Sequence, residues 1–481
     1  RAFSLSGTYL PGATITNTYF INENISLPVV SLCTDSLNLW DWNTGMYVMG
    51  PDADTTTPPY SNANFWKGFK KEAHAEYFDK NKNLGFEQDC ATEIHGNFSK
   101  AWPQKSFRVM ANDDYGDPYI NYKIFPGKNI DKFRSFNIRN AGIDWNTCHF
   151  RDRLMHGIVE NKTDIDIMEG EAVVLFLNGQ YWGVYEIRER QDEYYLAENH
   201  NVDPDNVDLL RFEGDILEGS NAAFFEMVSF IGSNDMTIQT NYDSALKLID
   251  LENYCDYFIA ETYYGNWDWI YTGDPQGVNN IKFWRTISPA SKWRYILWDT
   301  DLGMSLFDDV STNCPQDLFG DIIDSSITQP SVHVVMLRSL LKNTSFRNYF
   351  VNRYCDLINT IFYPDNIIDK VQSIRDELMP EMARHFTKWN GPIFIFGTYT
   401  VGRSTDIPSW LNEIDTLEAF VNCRPYYVRD SLQSEFSFVK QVDVTLSVSP
   451  TGAGNIKLNT INKIDSLPWT GVYFDGVPIT M

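Results

Sequence analysis

The segment Trp298-Asp299-Thr300-Asp301-Leu302-Gly303 holds the residue types best suited to chemistry. Its two carboxylates stand two apart at the end of a predicted strand, a spacing that turns both side chains to one side, where they can share a hard cation. Mg²⁺ takes oxygen ligands, usually one or two carboxylates together with substrate phosphates, so Asp299 and Asp301 point to a metal that escorts a phosphate. Alone, an Asp-x-Asp pair is more often a solvated turn. The Trp before it and the Gly after it favour a site.

Upstream, Gly265-Asn266-Trp267-Asp268-Trp269 ends a predicted helix over 250–264 and sets Asp268 between two tryptophans, where burial tolerates a charge only if it has a partner. Asn279 and Asn280 follow and open a predicted hairpin that leads to Asp299. In the protein-kinase template an Asp positions the attacking hydroxyl, an Asn binds metal, and the Asp of an Asp-Phe-Gly element follows. Asp268, Asn280 and Asp301-Leu302-Gly303 repeat that order. Twelve positions separate Asp268 from Asn280, against about five in the template, so the loop TGDPQGV reads as an insertion. For either residue alone, a helix-end Asp and turn asparagines are the plainer account. In HGNFSKAWPQKSFRV (95–109) a Gly-containing turn leads into a strand beginning at Lys105, a compact point charge suited to phosphate, although a strand-edge Lys is usually just solvated. The Gly-x-Gly-x-x-Gly and P-loop patterns, His-Glu-x-x-His and Gly-x-Ser-x-Gly are all missing, so neither a typical kinase loop nor a P-loop can be claimed and the zinc-protease and serine-hydrolase readings lose support.

The elements that must carry these residues change character along the chain. Residues 1–26 read as an extended entry segment. Strands are predicted at 27–33, 72–78, 86–96, 105–111 and 133–140, a helix at 150–161, and a hairpin over 171–190 turning at Asn178-Gly179. Beyond residue 190, helical patterns at 221–231, 250–264, 331–361, 365–389 and 409–432 dominate, interrupted by one hairpin of 279–285 with 292–301. The expected fold is α+β, an atypical protein-kinase-like arrangement of two lobes, strand-rich at 27–190 and helical at 191–439, with a short β appendage at 440–481.

Composition bounds the function. The chain has 481 residues, 43 % of them hydrophobic, enough for a large core. Its 64 acidic against 39 basic residues give a net charge of −25, which repels nucleic acid. The 14 Trp and 26 Tyr could offer stacking surfaces, but most are expected as partly buried packing. Seven scattered cysteines form no zinc-ligand spacing, and buried free thiols are the default for them. No apolar run is long enough for a membrane span. The sequence begins at Arg1 without a signal-like segment, so a longer exported precursor is expected.

Taken together, LPVVSL followed by GMYV, IHGNFSKAWPQKSFRV, FNIRNAGID with Arg151 after it, LNGQYWGVYEIRER, and NNIKFWR with WRYILWDTDLG resemble the CotH kinase family from about Leu27 to Phe438. The tail after Gln441 is similar to the extra β modules of its exported variants. The resemblance implies an atypical kinase fold that binds ATP with Mg²⁺ and phosphorylates secreted or cell-surface proteins outside the cytoplasm. It would make Asp268 the catalytic-loop Asp, Asn280 its metal-binding companion, Asp299 or Asp301 the second metal Asp, and Lys105 the phosphate-facing lysine. Strand 185–189, ending at Glu189, would flank adenine, with Trp293 an aromatic platform. Two other classes compete: a catalytically inactive surface binding or scaffold protein, separated by metal-dependent ATP binding, and a carbohydrate-active hydrolase, for which no pair of carboxylates is singled out.

Overall fold

The computed structural model describes residues 15–481 except 271–276, 308–309, 328, 391–393, 397–398, 451 and 465. The first fourteen residues of the expected entry segment, and 272–276 of the expected insertion, lie outside the described residues. The chain divides into two compact units. One takes the chain through His149 with Glu169–Asn201 and Ile374–Leu411, and the other takes Phe150–Met168, Val202–Ser373 and Asn412–Met481.

The first unit is built on β1 (Val29–Thr34), β2 (Lys71–Phe78), β3 (Leu84–His95), β4 (Ser106–Met110), β7 (Ser135–Arg139), β8 (Gly170–Leu177) and β9 (Gln180–Glu189); the short β5 (Ile120–Asn121) and β6 (Lys132–Phe133) pair separately. Period-two alternation sends Val30 and Leu32 of β1, Phe107 and Val109 of β4, and Val173 and Leu175 of β8 into one core. The β8–β9 turn falls at Asn178-Gly179, whose φ values of 51° and 76° are those of a two-residue hairpin loop. The strand order is β1-β2-β3-β4-β7-β9-β8, and β1 pairs in parallel with β8, so the sheet closes on itself as a barrel.

That closure overturns the expected two-lobed, kinase-like α+β fold, since a barrel dominates the architecture instead of an open strand lobe. Alternation is the same in an open sheet and in a barrel, and only the pairing of two strands distant in sequence distinguishes them.

In the second unit the hairpin of β12 (Lys282–Thr286) and β13 (Arg294–Ile296) is not isolated: β12 also pairs with β10 (Val207–Arg211), and β10 with β11 (Asp215–Glu218), giving the order β11-β10-β12-β13. Helices Ala222–Ser233, Leu251–Tyr264, Val332–Leu340 and Thr344–Ile358 belong to this unit, and Phe224, Tyr254, Phe258, Phe283 and Tyr295 are buried in it. The terminal strands Gln441–Leu446 and Trp469–Phe474 pair antiparallel. Buried Asp356 draws their neighbourhood in by accepting hydrogen bonds from Thr460 and from Tyr473 Oη at 2.7 Å.

Cys314 and Cys423 are joined, with Cα atoms 6.1 Å apart and 109 residues between them in sequence. This replaces the expected free thiols at two of the seven positions. A loop of that length corresponds to roughly 4–5 kcal/mol in the chain-entropy account of cross-links. Cys423→Ser, or reductant, is therefore expected to lower the melting temperature by several degrees, and superimposable melts with and without reductant would show that the bridge carries no stability.

Candidate functional site

The site grows from the end of helix Leu251–Tyr264. Gly265 stops the helix at φ +62°, and its N–H returns to the carbonyls of Glu261 and Thr262. Arg424, fully buried, donates to the terminal carbonyls of Thr262 at 2.6 Å and Tyr263 at 2.8 Å, supplying charge where the helix leaves oxygens without partners. Asn266 Nδ2 reaches back to Glu261 Oε2 at 2.9 Å, and Trp269 Nε1 donates to Tyr257 Oη at 2.8 Å. Both ends of Asn266–Trp269 are thus anchored to the helix, and Asp268 lies between them.

The chain returns beside Asp268 through an antiparallel bridge of Ile270 with Val278 and a hydrogen bond from Asn279 N to Trp269 O at 2.8 Å. Asn279 Nδ2 then lies 3.1 Å from each Asp268 carboxylate oxygen, while Asn280 Nδ2 lies 3.0 Å from Asp268 O and 3.0 Å from its Oδ2. The twelve-residue separation is closed by backbone pairing, and the Asp–Asn contact survives the long loop. Burial pushes the Asp268 carboxyl up to about 6; the negative charge of Asp299 adds to the rise, and the two asparagine amides oppose it.

The Asp299–Asp301 segment is not on a strand, because β13 ends at Ile296. Asp299 has φ +56°, so the two-apart spacing does not align the carboxylates as it would on a strand. The loop is fixed instead through its middle residue. Thr300 N and Oγ1 both donate to Asp152 Oδ1, at 2.8 and 3.1 Å. Met168 N donates to His156 Nδ1 at 3.0 Å, which leaves the proton on Nε2, 3.5 Å from the same Asp152 oxygen. Gly303 N closes a turn on Thr300 O, and Met304 N bonds Tyr264 O at 2.7 Å. A Cβ at Gly303 would stand 3.1 Å from Met155 and 3.2 Å from Tyr264 O, so the glycine is needed for this close approach. Asp301 is buried, 2 % exposed, and Asp299 is half-buried.

Asp268 and Asn280 therefore meet, the charge of Asp299 is felt at Asp268, and Asp301 lies on the same short loop as Asp299. The other predicted residues stand elsewhere. Trp293 is buried against Phe224 and Phe283, with the Arg285 guanidinium 5.3 Å from its ring centre, so it offers no open platform. In the barrel unit, Lys105 Nζ donates to the carbonyls of Lys100 at 2.5 Å and Trp102 at 3.0 Å, and lies 3.8 Å from the Phe65 ring centre. Glu189 is ion-paired with Lys128 at 2.5 Å and accepts from Glu169 N and Asn199 Nδ2. Sequence reasoning passed over Asp152, His156 and Glu261. The only available signal was the spacing of Asp152 and His156, four apart on one helix that also carries Arg151 and Arg153. Lys282, at the start of β12, is also buried, its ammonium 4.1 Å from the Trp298 ring centre.

The family model described as CotH kinase protein matches residues 92–428, well over half of the chain, including every residue named above as part of the site. The chain belongs to the CotH kinase family. No curated protein matches it. Membership indicates a kinase-like function for this CotH protein, and among the described residues no helix is long and apolar enough to cross a membrane.

Two buried groups report on the packing of this CotH protein through pH. Burial, aided by Asp152, pushes Glu261 up to about 8. The folded state then holds more protons than the unfolded one between the ordinary carboxylate range and about 8, so stability falls as pH rises through that window, by at most roughly 1.4 kcal/mol per unit. Glu261→Gln is expected to remove that slope in thermal melts between pH 5 and 8; an unchanged slope would show that Glu261 is not its source. Burial pushes Lys105 down to about 7. Here the unfolded state binds the extra proton, so stability rises with pH above about 7, and Lys105→Met is expected to flatten melts between pH 7.5 and 9.5. A Lys105→Met slope equal to that of the wild type would place the ammonium in water.

Proposed function

We propose that this CotH protein is a phosphotransferase that uses ATP with Mg²⁺ to phosphorylate secreted or cell-surface proteins. The observation that carries the reading is the contact of Asn280 with Asp268, made although a long loop separates them, at a carboxyl that also feels the charge of Asp299. The donor set fits the metal: carboxylates and an amide carbonyl are all hard oxygens, and a cation would offset both the burial and the Asp299 charge that lift Asp268. Asn280 turns its amide nitrogen to Asp268, so its Oδ1 is the atom that would bind metal, together with Asp299 and Asp301.

Bound there, Mg²⁺ would neutralise charge on the β and γ phosphates. Asp268 accepts the proton of the attacking hydroxyl as that oxygen bonds to the γ phosphorus and the bond from phosphorus to the β,γ-bridging oxygen breaks, with ADP as the leaving group. A carboxyl lifted by burial suits proton acceptance better than an ordinary one. Asn279 and Asn280 hold the Asp268 oxygens in place, and Asp152 holds the loop of Asp299 and Asp301 through Thr300. The Cys314–Cys423 bridge supports an extracytoplasmic location, where disulfides persist.

The burial of Lys105 and Trp293 favours a second reading, a catalytically inactive surface binding or scaffold protein. Calorimetric titration of ATP with and without Mg²⁺ separates the two. The phosphotransferase reading expects ATP binding that requires Mg²⁺ or Mn²⁺, is lost with EDTA and is indifferent to thiol reagents. It also expects transfer of labelled γ-phosphate to exported proteins of the same cells to fall by ~10²–10⁴-fold in Asp268→Asn. Asp299→Asn and Asp301→Asn should fall comparably for a direct ligand and about ten- to a hundredfold for an outer one. Folded variants that keep more than half of the transfer would overturn the assignment, and a wild type that binds no ATP would install the binding-protein reading.

A further inference from the structure

The outer wall of the barrel carries a polar grid that phosphate transfer does not use. Across the β2–β3 pair, His74 stands opposite Asp89 and Glu76 opposite Glu87; across β1–β2, Cys33 lies beside His74 and Ser31 beside Glu76. Ala73, Ala75 and Tyr77 take the alternate positions and enter the core, so the six polar residues share the other face. A ring nitrogen of His74 and one carboxylate oxygen from each of Glu76 and Glu87 lie within 4.8 Å of one another.

Two further observations point to a ligand. His74 Nδ1 is 2.7 Å from Asp89 Oδ1, so the proton sits on Nδ1 and the lone pair on Nε2, which is buried and has no hydrogen-bond partner among the described residues. That is the second-shell pattern of metal-binding histidines, in which a carboxylate takes the other ring N–H and orients the ring. In addition, Glu76 is buried, 3 % exposed, and among the described residues accepts only from Thr18 N, at 3.1 Å, and Thr18 Oγ1. Among the described residues no Lys or Arg side chain pairs with Glu76 or Glu87. Two carboxylates directly across a strand pair destabilise the sheet unless a cation lies between them.

We propose that His74, Glu76 and Glu87 bind a divalent transition metal, with Asp89 as the residue that orients His74. One imidazole and two carboxylates suit Zn²⁺, with a fourth position left for water. Because Glu76 is bonded to Thr18, the metal would also tie the segment before β1 to the barrel wall. All three ligands precede residues 92–428, the part shared with the family, so this site stands independently of the phosphotransferase reading.

The test uses the full chain, purified without a polyhistidine tag, stripped with EDTA and dialysed. Zn²⁺ is titrated by calorimetry in excess Mg²⁺, which keeps the carboxylates around Asp268 engaged, and Co²⁺ is followed by its visible absorption. The expected result is a single tight equivalent of Zn²⁺, a Co²⁺ spectrum of low coordination, and a rise in melting temperature with metal. His74→Ala and Glu87→Gln should each weaken Zn²⁺ at least tenfold, and Asp89→Asn about ten- to a hundredfold, with Mg²⁺-dependent ATP binding unchanged. Glu87 is exposed, so Glu87→Gln keeps the fold even if His74→Ala does not. A wild type that binds no Zn²⁺ in the micromolar range, or a folded Glu87→Gln that binds it as the wild type does, would overturn the site.

Discussion

One buried carboxylate governs the geometry around the carboxylate loop. Asp152 accepts both the N–H and the hydroxyl of Thr300 on a single oxygen, with the His156 ring nearby. A buried carboxylate is costly without such donors, so the contact is specific in both directions: Asp152 needs Thr300, and the loop has one place to sit. With Thr300 drawn inward, Asp299 takes a left-handed backbone and its charge is felt by Asp268. Burial, with the charge of Asp152 added to it, raises Glu261 on the neighbouring helix.

Asp268 is positioned by a different device, the termination of a helix. Gly265 turns the chain, Arg424 neutralises the exposed end of the helix dipole, and Trp269 and Asn266 bond back to side chains of the same helix. A residue placed by four anchors tolerates a long excursion immediately after it, provided the chain returns in register. The Ile270–Val278 bridge supplies that register and brings the asparagine amides to the carboxylate. Loop length and site geometry are thereby decoupled.

The barrel unit meets a different constraint. Closing the sheet through β1 and β8 removes its open edges, and the interior fills with the apolar set of every strand. What remains outside is the other half of the alternation, and on β1 to β3 that half is rich in Cys, His, Asp and Glu. The pattern that makes a core therefore also collects metal-ligating residues on one wall. The region shared with the CotH family contains the second unit's carboxylates, whereas most of this wall precedes it.

Much of the local structure was legible in the amino-acid sequence, because period-two and helical spacings are local properties of a chain. The strands at β1 to β4, the Asn178-Gly179 hairpin and the helix ending at Tyr264 follow from them, as does the placing of Asp268 just past a helix end. The order Asp268, Asn280, Asp301 was likewise readable, since it is a sequence of residue types. Tertiary structure alone decided the rest. Barrel closure pairs Val29 with Val174, a contact that leaves no trace in the alternation of either strand. Strand β13 stops at Ile296, Thr300 is held by Asp152, far back in the chain, and Asp299 takes φ +56°, so Asp299 and Asp301 lack the strand geometry on which their predicted one-face alignment rested. Lys105 and Trp293 look like surface ligands in one dimension and are buried in three, and the Cys314–Cys423 bridge joins residues that only folding makes neighbours. The physical reason is common to all of these: local pattern sets which face a side chain takes, while long-range packing sets what that face meets.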